Sequence, residues 1–315
     1  MKNYKNACLC DCKMKEKRII IKEKFISSFD NSFLYYKYKK IKNNKNNNNT
    51  NNNNNNNKPT LIFLHGLSGN HTIWNKSVEY LHKKKYSTLA IDLYGHGKST
   101  TLKQKKRYKL EHFAKDIDSI VKHEGIKNFV IIGHCLGGMV GLVYESMFPN
   151  KAKGFVIMGA SPGNFVKYQY SLQRFMPSFL YSIATNLVGL LTTPFQRKSK
   201  PYIDFSKLHK HNALTIVYYD LLTTSLTSYA YTINSMINFD IRKHLPQIKT
   251  PMLVVIGDDD MVMHRNGSEE IAKKAKNAEL LIFKKTGHLI PIRKPIELAK
   301  IIEKFLEKNL NKKVL

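Results

Sequence analysis

FVIIGHCLGG, running from Phe129 to Gly138, decides the fold: a short apolar, β-prone run passes straight into G-x-C-x-G and then into a helix-forming segment. A strand buried on both faces reads as such a run. The Gly-flanked turn behind it is the pattern of a nucleophile elbow. Its central residue, Cys135, is forced into a strained backbone that lifts the side chain above the sheet, while Gly133 and Gly137 leave room for strand and helix to cross. The following helix points its N-terminus at Cys135, and its dipole and free N–H groups favour a thiolate or an oxyanion there.

Outward from the elbow the same rhythm repeats. Leu61 to Leu64, Thr88 to Ile91 and Phe155 to Met158 are further short runs that close on Gly, Asp or His, separated by longer helical segments. Met252 to Ile256 and Leu280 to Phe283 add two more, and Pro295 to Leu310 reads as a closing amphipathic helix. Strands alternating with helices imply an α/β fold: a mostly parallel central sheet covered by helices on both faces. In such sheets ligands bind beyond the carboxyl ends of the strands. Ile19 to Ile26 and Phe33 to Tyr38, split by Ser28, Asp30, Asn31 and Ser32, read as a β-hairpin of edge strands.

The expected domain spans residues 19–310, with a basic, Cys-containing tail at 1–18 and a short tail at 311–315. The tract from Lys42 to Lys58 is nearly all asparagine and offers nothing to bury, so it reads as a disordered insertion. Between residues 161 and 239 the strand rhythm lapses into Phe, Tyr, Leu and Ser, the expected inserted helical cap. Within it, Leu187 to Leu191 is broken by Gly189 and preceded by Ser182, Thr185 and Asn186. That is a poor membrane span, and reads as ordinary core or as the lining of an acyl pocket.

The 315 residues carry 52 Lys and Arg against 23 Asp and Glu, a formal charge of +29. The lysines are scattered among asparagines rather than gathered in a patch, the pattern of a solvated surface. No zinc-ligand spacing or nucleic-acid signature accompanies them, so no nucleic-acid partner and no metal is expected. Three of the four cysteines, Cys8, Cys10 and Cys12, crowd the first dozen residues, which is no disulfide framework. With no secretory signal and no apolar run of about 18 residues, the chain reads as cytoplasmic. Acylation of Cys8, Cys10 or Cys12 beside the neighbouring lysines would add peripheral membrane association; metal binding or no role are the other readings of that cluster.

Together the motifs resemble the α/β-hydrolase superfamily, in particular its lipase, esterase and acylglycerol-lipase branches, over residues 61–310. The resemblance implies an enzyme without cofactor. HGLSGN, from His65 and Gly66, matches the loop whose residue after HG, Leu67, pairs its amide with that of Leu136 in an oxyanion hole. DLYGHGKS matches a structural loop, which makes Asp92 and His96 architectural. The acid falls on Asp260 in GDDDMV, with Asp258 and Asp259 as competitors, and the base on His288 in KTGHLI. His65 and His134 flank the site.

Most relatives carry serine where this chain has Cys135, and Cys-His-Asp resembles the dienelactone-hydrolase branch. The implied chemistry is attack on a small-molecule carboxylic ester or thioester through an acyl-enzyme. The alternative is a weak or inactive relative kept for binding. No Asp stands at the elbow, which argues against dehalogenase or epoxide-hydrolase chemistry.

Overall fold

The computed structural model describes residues 19–41, 58–101, 104–168, 178–195, 201–211 and 213–310. The expected tails at 1–18 and 311–315, with Cys8, Cys10 and Cys12, and the Asn tract apart from Lys58 lie outside these residues.

Eight strands form one sheet: β1 (Ile19–Ser27), β2 (Phe33–Ile41), β3 (Thr60–Leu64), β4 (Thr88–Ile91), β5 (Phe129–His134), β6 (Gly154–Met158), β7 (Met252–Gly257) and β8 (Ala278–Phe283). Their order is β1-β2-β4-β3-β5-β6-β7-β8. β2 runs antiparallel to both β1 and β4, and every later pairing is parallel. The hairpin is present, but only β1 is an edge. Leu34, Tyr35, Tyr36 and Tyr38 are too apolar to leave β2 unpartnered, and all are buried.

Period-two alternation sends successive side chains to opposite faces, and both faces are covered. Ile62, Leu64, Ile131 and Ile157 pack towards α2 (Leu110–His123), α3 (Leu136–Met147) and α7 (Arg265–Lys274). Leu61, Phe63, Val130, Ile132, Val156 and Val255 pack towards α1 (Asn75–Lys83), α8 (Ile290–Arg293) and α9 (Pro295–Leu310). Two apolar layers thus clamp the central strands and hold their ends on a rigid support.

Between β6 and β7 the described chain is helical: α4 (Ser178–Thr192), α5 (Ala213–Thr223) and α6 (Leu226–Ile237), with short 3-10 turns. Polar contacts tie it to the β3 end of the sheet. Thr223 and Thr224 hydroxyls donate to the Ser68 carbonyl at 3.3 and 3.2 Å, and the Asn70 amide donates to the Ile203 carbonyl at 2.9 Å. Neither expectation for Leu187 to Leu191 holds: Leu187, Val188, Leu190 and Leu191 face outward, neither in the core nor lining the cavity described below. Among the described residues no helix is long and apolar enough to cross a membrane.

Candidate active site

Cys135 follows β5 and caps α3 with φ of 52° and ψ of −113°. A non-glycine residue in that region costs about 1–3 kcal/mol, so something must hold it. Main-chain bonds do: the Cys135 N–H donates to the Met158 carbonyl at 2.8 Å, and the Gly137 N–H donates to the His65 carbonyl at 3.1 Å. The two flanking glycines are steric requirements. A Cβ on Gly133 would sit 2.3 Å from the Gly137 carbonyl oxygen, and one on Gly137 would sit 2.4 Å from that of Leu64.

β7 and β8 deliver the partners. Asp260 is buried in the turn after β7, where its Oδ1 accepts the Val262 and Met263 amides at 2.9 and 2.8 Å. Its Oδ2 lies 2.7 Å from His288 Nδ1. Asp258 and Asp259 are exposed. Asp258 instead accepts the Thr286 amide at 3.2 Å, and Asp259 donates its own amide to the Thr286 carbonyl at 3.1 Å, which zips the two loops together. Of the three aspartates, Asp260 is therefore the one that reaches His288. The His288 ring also faces Cys135, which acts on it electrostatically, so sulfur, imidazole and carboxylate lie in one row.

Burial disfavours charge on His288, but the facing Cys135 and the bond to Asp260 outweigh it, and the ring is pushed up to about 10. Burial likewise works against the Asp260 carboxylate, yet the His288 ring and the two amides hold it below the usual range. The flanking histidines behave oppositely. Burial, reinforced by the charge of His288, pushes His134 down to about 3, and burial pushes His65 down to about 4. His134 packs tilted against His288, with centroids 4.6 Å apart and ring planes at 45°, and donates from Nε2 to the His288 carbonyl at 2.9 Å. His65 accepts the Leu93 amide at Nε2 and donates from Nδ1 to the Gly66 carbonyl, so it braces the β3 loop against the β4 loop. Gly66 keeps that loop close to the elbow: a Cβ there would be 3.1 Å from the Cys135 Cβ.

Among the described residues, neither the Leu67 nor the Leu136 main-chain N–H donates to another main-chain or side-chain acceptor. Asp92 accepts from the His71 ring and amide and the Lys98 amide, and His96 packs on His65, architectural places for both. No group of three or more His, Cys, Asp or Glu among the described residues could hold a metal ion.

A cavity of about 500 Å³ opens over Cys135 and His288. Its walls include Ile73, Phe165, Phe205, Ile216, Ile233 and Met236. The sequence reading missed these residues, although Tyr229, Ile233 and Met236 recur at helical spacing on α6 and could have been read as a stripe. It also missed Ser68, which has φ of 64° beside Leu67 and a carbonyl anchored by Thr223 and Thr224.

The sequence model of the alpha/beta hydrolase fold matches residues 59–295. A pimeloyl-[acyl-carrier protein] methyl ester esterase of Wigglesworthia glossinidia brevipalpis is 27% identical over 257 residues, covering 79% of this chain and 93% of that protein. The monoacylglycerol lipase ABHD6 of Homo sapiens is 22% identical over 260 residues, covering 79% of this chain and 75% of its own. Among solved structures, an esterase from Exiguobacterium antarcticum superposes with a TM-score of 0.68 at 16% identity, covering 91% of this chain and all of that one.

Proposed function

The chain belongs to the alpha/beta hydrolase fold family of enzymes, and from that premise we propose that it hydrolyses a carboxylic ester or thioester with an apolar acyl group, using Cys135 as nucleophile, His288 as acid and base, and Asp260 as the group that orients the ring. The observation that carries this reading is the row of Cys135, His288 and Asp260, with His288 Nδ1 bonded to Asp260 and Cys135 facing the ring, set at the floor of an apolar cavity.

With Nδ1–H directed at Asp260, Nε2 is the nitrogen that exchanges a proton with the thiol. The sulfur attacks the acyl carbon with its proton already resting on His288, and the carbonyl π pair moves onto oxygen. The amides of Leu67 and Leu136 would stabilise that oxyanion; one such donor contributes about 3–4 kcal/mol. Collapse breaks the bond to the leaving alcohol or thiol, which takes the proton from Nε2 and leaves a thioester on Cys135. Water, deprotonated by the same nitrogen, then attacks the thioester carbonyl, the bond between sulfur and acyl carbon breaks, the acid leaves, and Cys135 again faces a protonated His288. Pimeloyl-[acyl-carrier protein] methyl ester is the substrate in one relative's name and monoacylglycerol in another's; both are acyl esters, which supports the class. The helices between β6 and β7 act as a cap that shapes the acyl site.

The test is incubation with a p-nitrophenyl ester series, with rapid quench and intact-mass measurement. An added acyl mass that maps to Cys135, and its loss together with turnover in Cys135→Ala, is the expected result. Undiminished turnover in Cys135→Ala overturns the assignment, and a native chain inert across esters and thioesters leaves a binding protein as the function.

A further inference from the structure

Buried polar side chains in a folded protein are hydrogen-bonded, and an exception asks for an explanation. The wall of the cavity over Cys135 holds one. Among the described residues, Ser68 is the one cavity-lining residue whose side chain carries a buried polar atom without a hydrogen-bond partner. The residue is 1% exposed, and nothing in the described protein accepts from its Oγ or donates to it.

The main chain at this residue is unusual as well. The Gly69 N–H donates to the Gly66 carbonyl at 3.2 Å, which closes a four-residue turn with Ser68 third and its φ at 64°. Glycine or asparagine suits that place. Glycine would relieve the backbone and remove the unpartnered hydroxyl together, yet the chain carries serine. The turn is held from the cap instead: the Thr223 and Thr224 hydroxyls reach the Ser68 carbonyl at 3.3 and 3.2 Å. Those bonds engage the carbonyl and leave the hydroxyl unused.

The neighbours of Ser68 indicate what the hydroxyl meets. Gly66, Leu67 and Ser68 line the cavity in succession, with Cys135 and His288 on the same wall. A Cβ on Gly66 would fall 3.1 Å from the Cys135 Cβ, and Ser68 lies two peptide units on, at most ~7 Å along the chain. Ile73, Phe205, Ile216, Ile233 and Met236 give an acyl chain apolar contacts alone. The polar atom that every ester or thioester brings to the nucleophile is its carbonyl oxygen, and a hydroxyl can donate to it.

We propose that the Ser68 hydroxyl is a third donor to the substrate's carbonyl oxygen, beside the amides of Leu67 and Leu136. This rests on the ester or thioester hydrolysis proposed above. As the sulfur adds to the acyl carbon, the carbonyl π pair becomes a lone pair on oxygen, and the bond from Oγ–H strengthens with that charge. No bond to Ser68 forms, and its proton stays on Oγ. In the free protein the hydroxyl only destabilises the fold, and its partner arrives with the substrate. Activity and stability should therefore part company at this residue.

The experiment compares Ser68→Ala and Ser68→Gly with the native chain on one p-nitrophenyl ester. It follows kcat, KM, Tm and inhibition by a matched trifluoromethyl ketone, whose adduct with the Cys135 sulfur carries an oxyanion. Both variants should lose roughly 10²-fold in kcat with KM little changed, and bind the ketone more weakly by a similar factor. Tm should hold in Ser68→Ala and rise in Ser68→Gly, which also relieves the backbone. Native kcat in either variant overturns the proposal. So does a fall in kcat that comes with a lowered Tm, the mark of a role in the fold alone. Intact mass after one turnover separates this from the reading beneath it: a native chain that acylates Cys135 yet is indifferent to Ser68→Ala refutes the third donor only, whereas one that never acylates Cys135 refutes both.

Discussion

Cys135→Ser exchanges a sulfur for an oxygen at a position whose backbone is set by main-chain bonds, so the fold should persist. The proton balance should not. His288 is raised from 6.5 to about 10 against the cost of burial, and the charge on Cys135 is the largest contribution that raises it, ahead of the bond to Asp260. At ~1.4 kcal/mol per pH unit, that displacement is a preference of about 5 kcal/mol for the charged ring. A serine hydroxyl carries no charge at these pH values, so the largest raising contribution is lost. The native enzyme should keep its kcat/KM through neutral pH and lose it as pH rises through about 10, where the ring gives up the proton owed to the leaving group. The serine variant needs a neutral ring as base, so its kcat/KM should instead increase with pH through a lower value. Initial rates on one p-nitrophenyl ester, corrected for spontaneous hydrolysis, give both profiles. Stability follows the same linkage. A raised imidazole stabilises the folded state fully below 6.5, and this is lost as pH climbs towards 10, so native Tm should decline across that window more than the variant's. Superimposable profiles for the two proteins, both falling through the same alkaline value, would refute the charged-pair argument.

Asp260→Asn should lower kcat by roughly 10³–10⁴-fold with little change in KM, because the ring loses its orienting partner while the cavity is untouched; steady-state kinetics on the same ester decide it, and a pure KM effect would contradict it. Gly137→Ala forces a methyl to within 2.4 Å of the Leu64 carbonyl oxygen, and main chain cannot swing aside. A loss of ~1–3 kcal/mol is expected, read as a Tm lowered by several degrees, and an unchanged Tm counts against the close crossing. Ile233→Trp narrows the cavity, so kcat/KM should drop for long acyl esters and hold for acetate, with each excluded methylene worth ~1–3 kcal/mol; a uniform loss across chain lengths would speak against an acyl site there.

The parts of the site that the sequence made legible are those fixed over short range. Gly133 and Gly137 have no alternative to glycine at that crossing, so G-x-C-x-G identifies the turn before any long-range contact is known. The six parallel-sheet strands announce themselves because residues such as Ile131 and Ile132 are buried on opposite faces and both must be apolar. The motif placed the acid on Asp260 with Asp258 and Asp259 as competitors, and what separates the three in space is where the turn after β7 points them. The direction of α4 was hidden for a deeper reason. Leu187, Leu190 and Leu191 read alike whether they face the core or water, and the decision lies with Tyr231 and Asn234, some forty residues away, which demand glycine and hydroxyls opposite them.

The tilted imidazoles of His134 and His288 sit 4.6 Å apart, yet burial pushes the first down to about 3 while Cys135 and Asp260 pull the second up to about 10. The extra proton therefore favours the second ring, and the first, committed to the His288 carbonyl, competes poorly for it. The pocket floor is therefore a ledge with a single transferable hydrogen: isotope-exchange measurements on turnover should count one proton in flight, insulated by its silent neighbour from leaking along the row of rings towards β3.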